Sequence, residues 1–193
     1  MRHPFETWPT RHRRGVFVAL LVATIVVGAV LGWIDGDTQT DAAPRGQVSL
    51  QLAGSHEKAT EVVRSWEDAD VMHKAGLSIG FDFLFLVLYG VTLAAAAAGI
   101  AARCRVRTWG SAAALGVLAA WGALAAAGLD AAENALMVPM LSNPVTGGSP
   151  GLVKALALAK FALLAFVVVY LLVVGVASGR RRPGLFRSSA VSR

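Results

Sequence analysis

Cysteine is nearly absent from this chain: one residue, Cys104, in 193. A lone thiol excludes an internal disulfide framework and any cysteine-based zinc site. Charge is sparse as well. Asp, Glu, Lys and Arg together make up 16% of the chain, against about 25% in soluble domains. With 55% of residues hydrophobic, that composition excludes a disordered, collagenous or nucleic-acid-binding chain as the main class. No Walker A, GxGxxG, HExxH or GxSxG pattern falls on a suitable element. Neither a cofactor nor a reaction is therefore implied, and the reading leans away from an enzyme.

What the chain has instead is length of apolar sequence. Four stretches stand out, at about 15–34, 77–102, 109–138 and 152–177. A bilayer core of about 30 Å needs about 20 helical residues, and each stretch meets that. The runs are continuous rather than alternating, which favours helices over barrel strands. The first is longer than the 7–15 apolar residues of a signal peptide and no small-residue cleavage site follows it directly, so it reads as a retained span. Within it Gly28 and Gly32 form a small-xxx-small pair suited to close helix approach. The fold class expected is all-α: a four-helix transmembrane bundle, residues 15–177, with a small extracytoplasmic loop subdomain between spans 1 and 2.

Arginine and lysine set the expected orientation. Segment 1–14, the connection 103–107 and the tail 178–193 hold 12 of the 18 basic residues. The connection 35–76 has twice as many acids as bases, and 139–151 has neither. Both termini are therefore expected on the cytoplasmic side, with a basic cytoplasmic tail over 178–193. An Ala-rich composition suits a high-GC bacterial genome and a plasma-membrane location. The 42-residue outer loop is too long for a bare link. Gln47–Ala53 alternates apolar Val48, Leu50 and Leu52, which predicts a strand. Ser55 suits an N-cap, and Ala59, Val62, Val63 and Trp66 then fall at helical spacing; this predicts a short amphipathic helix against the membrane or over the bundle mouth.

Ionisable residues inside spans are functional suspects. At 1.5 Å per residue, Asp82 and Glu133 lie about 7 Å, and Asp130 and Lys160 about 12 Å, inside the outer ends of their apolar stretches. Lys154 is shallow enough to snorkel. Asp130, Glu133 and Asn134 are spaced i, i+3, i+4 and share one face; Tyr89 lies on the face of Asp82, one repeat deeper. Three acids and one base at matched depth call for protonation, a bound cation or a salt bridge. Lys160 is expected within reach of at least one of Asp82, Asp130 and Glu133. The candidate ligand-binding set is Asp82, Asp130, Glu133, Asn134, Lys160 and Tyr89, with Asp130 and Glu133 the candidate metal pair. The leading reading is a site for a cation, a proton or a small polar ligand, with transport as one use of it. The alternatives are a structural protein whose outer loop docks a protein partner, and a small intramembrane enzyme acting on lipid headgroups. Cys104 reads as a bystander, and His56 and His73, not set at ligand spacing, as solvated histidines.

The stretches Gly80–Leu86, Ala126–Leu136 and Leu156–Leu164, together with Leu50–Gly54 and Trp66 in the outer loop, resemble a group of small bacterial four-helix membrane proteins. Their most specific shared element is Leu-Asp-x-x-Glu-Asn, here Leu129 to Asn134. The resemblance implies a fold and no activity. A long first outer loop is also claudin-like in layout, without the paired loop cysteines.

The charge distribution generates a topology test. A thiol-reactive probe applied from outside should modify Ser55→Cys and Gly147→Cys but not Ser188→Cys; modification of position 188 from outside reverses the assignment.

Overall fold

The computed structural model describes residues 3–6, 10–143 and 145–179, and all regular structure among them is helical. A single 3-10 turn at Pro4–Glu6 precedes α1 (Thr10–Gly36), α2 (Gln47–Gln51), α3 (His56–Asp68), α4 (Met72–Val106), α5 (Gly110–Ser142) and α6 (Pro150–Gly179). Arg2, Pro144 and the basic tail 180–193 lie outside the described residues. α1, α4, α5 and α6 are each long and apolar enough to cross a membrane, so the chain is a four-span, all-α protein.

Two packed regions of different character divide the bundle. Toward the arginine-bearing end, α4, α5 and α6 meet through Ala94, Ala97, Ala98, Ala119, Ala120 and Ala123, with Cys104 packed among them. Small side chains let the helix backbones approach closely, as association in lipid favours. Gly116 shows how tightly: a Cβ there would collide with the Tyr170 hydroxyl and Ala101. At the opposite end large side chains fill the space. Trp66, Val62 and Val63 of α3 and Leu50 of α2 pack with Ile79, Met137, Met140 and Val153 from the ends of α4, α5 and α6. The helix that the spacing predicts is therefore present, and of the two expected positions it takes the one over the bundle mouth. The Ser55 hydroxyl caps it by accepting from the Lys58 amide at 3.4 Å.

The expected strand at Gln47–Ala53 is a correction: residues 47–51 form the short helix α2. The alternation was real in the letters, but the described residues offer no partner strand, and an unpaired strand leaves its backbone groups unsatisfied. As a helix the segment turns Gln47, Leu50 and Gln51 inward together, and all three are buried. Gly46 opens it at φ 51°, in the region that glycine enters readily. The glycine pair of α1 divides. Gly28 sits against the Phe85 ring, whereas nothing lies within 4 Å of a Cβ at Gly32. α1 also meets α4 through a Thr24–Thr92 hydroxyl hydrogen bond of 3.0 Å.

Two outcomes follow. Gly147 is hemmed in by the Pro139 and Asn143 carbonyls, so exposed Val145 is the better labelling position in that loop. Trp66 is fully buried and its indole N–H donates to the Thr38 carbonyl at 2.7 Å. Trp66→Ala should lower stability by about 3–5 kcal/mol, and Trp66→Phe by about 1–3 kcal/mol through the orphaned carbonyl. Denaturant unfolding in detergent measures both, and a Trp66→Phe variant as unstable as Trp66→Ala contradicts the hydrogen-bond share.

Candidate functional site

Between the two packed regions lies a buried polar layer. α5 presents Asp130, Glu133 and Asn134 on one helical face, and all three are buried. Lys160 of α6 is 3% exposed and reaches across to two of them. Its Nζ donates to Asp130 Oδ1 at 2.6 Å and lies 3.0 Å from Glu133 Oε2. The Phe161 ring centroid is 4.9 Å away on another side. Asp130 is held from α4 as well, where the Tyr89 hydroxyl donates to Oδ2 at 2.8 Å. One cation thus relieves the repulsion between two carboxylates a helical turn apart, and a phenol adds direction. Lys160 Nζ fills the position between Asp130 and Glu133 that a shared metal ion would take. Among the described residues no group of three His, Cys, Asp or Glu side chains is arranged to hold a metal.

Asp82 stands apart from that ion pair. It is 6% exposed and makes no salt bridge with Lys160 or with any other described base. Neutral amides hold it instead. Asn134 Nδ2 donates to Asp82 Oδ2 at 2.8 Å, and Gln47 Nε2 approaches the same oxygen at 3.4 Å. Gln47 also meets Asn134 Oδ1 at 3.4 Å, and its own Oε1 accepts from the Ser78 hydroxyl at 2.8 Å. The six residues expected from the sequence are therefore gathered in one layer, in two linked groups: Lys160–Asp130–Glu133–Tyr89 and Asp82–Asn134–Gln47–Ser78.

Reading the sequence missed Gln47, Gln51, Ser78 and Asp35. Gln47 and Gln51 are spaced i, i+4, the helical signal, but the alternation of Val48, Leu50 and Leu52 concealed it. Asp35 terminates α1, where its carboxylate accepts from the Gln47 amide at 2.6 Å and from the Thr38 hydroxyl at 3.2 Å. That contact ties the end of α1 to the start of α2. His56 and His73 are exposed, the first opening α3 and the second in the first turn of α4, away from this layer.

A cleft of about 460 Å³ opens onto the layer, and Asp82, Asp130, Lys160, Gln47, Gln51 and Asp35 all line it. Two buried side chains of the layer carry acceptors without hydrogen bonds. One is Gln51, only 4% exposed, through Oε1; the other is Glu133, where Oε2 has its ion pair with Lys160 and Oε1 has no partner. An unpaired buried acceptor costs about 1–3 kcal/mol, so each marks a place for a donor. No known protein family, curated protein or solved structure matches the chain, and the chemistry rests on this geometry.

The ion pair makes a direct prediction. Lys160→Ala leaves two buried carboxylates without their cation and should destabilise the bundle by about 3–5 kcal/mol. Adding Asp130→Asn should recover part of the loss, and the double-mutant cycle gives the coupling. Additive effects of the two changes contradict a direct pair.

Proposed function

We propose that this chain is a multi-pass plasma-membrane protein whose polar layer binds a cation, a proton or a small polar ligand such as an ammonium group. The observation that carries the reading is the buried, unpartnered Oε1 of Gln51, a side chain that lines the same cleft as Asp82, itself a buried carboxylate without a salt bridge. Asp35, Asp82, Asp130 and Glu133 face Lys160 as the one base of the layer. Net negative charge with free acceptors favours a positively charged donor.

The depth of the layer supports this reading. Asp82 and Arg103 on α4 are 21 residues apart, as are Arg14 and Asp35 on α1. That is about 32 Å of helix, close to the thickness of the hydrocarbon core. With the arginines at the cytoplasmic headgroups, the acidic layer falls at the opposite interface. Counting inward from the apolar stretches set these groups deeper, because α4, α5 and α6 continue past those stretches. In this placement α2, α3 and the helix ends around Trp66 form an extracytoplasmic cap, and the layer lies at its base, within reach of water. Transport fits the same site as one use of it. The reading in which the layer only locks the bundle is favoured by the Lys160–Asp130–Tyr89 chain but leaves Gln51 and Asp82 unexplained.

Gln51→Leu separates the two. It removes an unsatisfied buried acceptor, so stability without ligand should hold or rise by up to about 1–3 kcal/mol. Sodium, calcium and methylammonium chlorides are then titrated while the unfolding temperature is followed. At least one should stabilise the wild type by mass action, and Gln51→Leu should blunt that response. A wild type indifferent to all three cations and to pH, or a Gln51→Leu variant that responds fully, overturns the binding reading.

A further inference from the structure

The cleft has a shape that a site for a free ion does not need. Its polar groups lie at one end only. From there it continues toward the arginine-bearing end between α1 and α6, over α4, lined by Gly28, Gly32, Phe85, Leu93, Leu164 and Val168. The eight residues from Lys160 to Val168 correspond to about 12 Å of depth. α1 rests on α4 at Gly28 and Thr24, and the α6 wall stands across from it. Gly32 and Val168 are both exposed on their helices, so the cleft opens sideways, where the four-span reading puts hydrocarbon. A small ion reaching the layer from water has no use for an apolar trough open to lipid.

We propose that the occupant is a single-chain amphiphile with a primary ammonium head, taken up laterally from the leaflet on the capped side. The proposal rests on the binding function above and specifies its ligand. The head meets Asp82 and the free Gln51 Oε1; the tail lies in the trough. Charge complementarity selects the cation, since the layer holds more acids than bases. The orphaned amide oxygen selects an N–H donor over a quaternary head, which has none to offer. The depths also match: a head at the interface and a tail along the trough are where an amphiphile already sits in a bilayer, so lateral entry needs no charged group to cross hydrocarbon. Gly32 keeps the side open, because any larger residue there projects into the trough without meeting the protein.

The test uses the full chain in a nonionic maltoside detergent, with the unfolding temperature read during titration of decylammonium, methylammonium, decyltrimethylammonium and decyl sulfate. Decylammonium should raise the unfolding temperature at a concentration roughly tenfold or more below methylammonium, because its methylenes are buried in the trough. The trimethylated and sulfated chains should not match it. Gly32→Phe, and Val168→Trp from the opposite wall, should abolish the advantage of the decyl chain while keeping the methylammonium response. If methylammonium does as well as decylammonium and both fillers are silent, the small-ligand site stands and the lateral amphiphile is refuted. If decyl sulfate or decyltrimethylammonium stabilises as strongly as decylammonium, selection of the ammonium head is refuted. If neither amine has any effect, the amphiphile proposal fails, and the underlying site loses its ammonium ligand as well.

Discussion

Lys160 between Asp130 and Glu133 is the contact on which the arrangement of α4, α5 and α6 depends. Burying three charges is costly, and only close geometry with extra hydrogen bonds offsets it. The 2.6 Å contact to Asp130 and the Tyr89 hydroxyl on its other oxygen supply that geometry. A shift of α6 by one turn would carry Lys160 about 5.4 Å from its partners and leave bare carboxylates. The ion pair therefore acts less as a source of stability than as a constraint on register, which apolar surfaces rich in alanine do not set by themselves.

Around that constraint the two ends of the bundle are packed by different means. Alanines and Gly116 bring the helices together where the long spans meet. Trp66, Leu50, Ile79, Met137 and Met140 fill the other end, in the manner of a water-soluble core. The difference agrees with lipid outside one region and water outside the other: hydrophobic burial drives association only where the alternative is water. The polar layer separates the two regions, and α2 covers it through Gln47 and Gln51.

α1 does not share in the ion-pair network. It leans on α4 and is tied to the cap through Asp35 and the Gln47 amide. Its separation from α6 leaves the cleft, and its glycines decide the width: Gly28 admits Phe85, and Gly32 admits nothing from the protein. The bundle is thus open between α1 and α6, and Gln51, which carries an unsatisfied oxygen, lines the end of that cleft. Departures from full polar satisfaction of this kind concentrate at functional sites in natural proteins.

The four spans, the α3 helix with its Ser55 cap, and the shared face of Asp130, Glu133 and Asn134 were legible in the letters. Each depends on periodicity or on the length of an apolar run, which are local properties of the chain. The matched depth of Lys160 and the acids was legible for the same reason, since rise per residue is constant along a helix. Which acid Lys160 would choose was not. Asp82 lies at a comparable depth, yet it is held by Asn134 and Gln47 because helix rotation and the arrival of α2 from the loop decide what faces it. α2 itself read as a strand, since five residues that alternate suit either state and only the absence of a partner strand and the pull of the cap core resolve them. Sequence determined the four long helices and α3, with the depth of their charges, through local periodicity and run length. The cleft, its open side and the free oxygen of Gln51 were decided by tertiary packing, because they depend on the distance between α1 and α6, which no run of adjacent residues encodes.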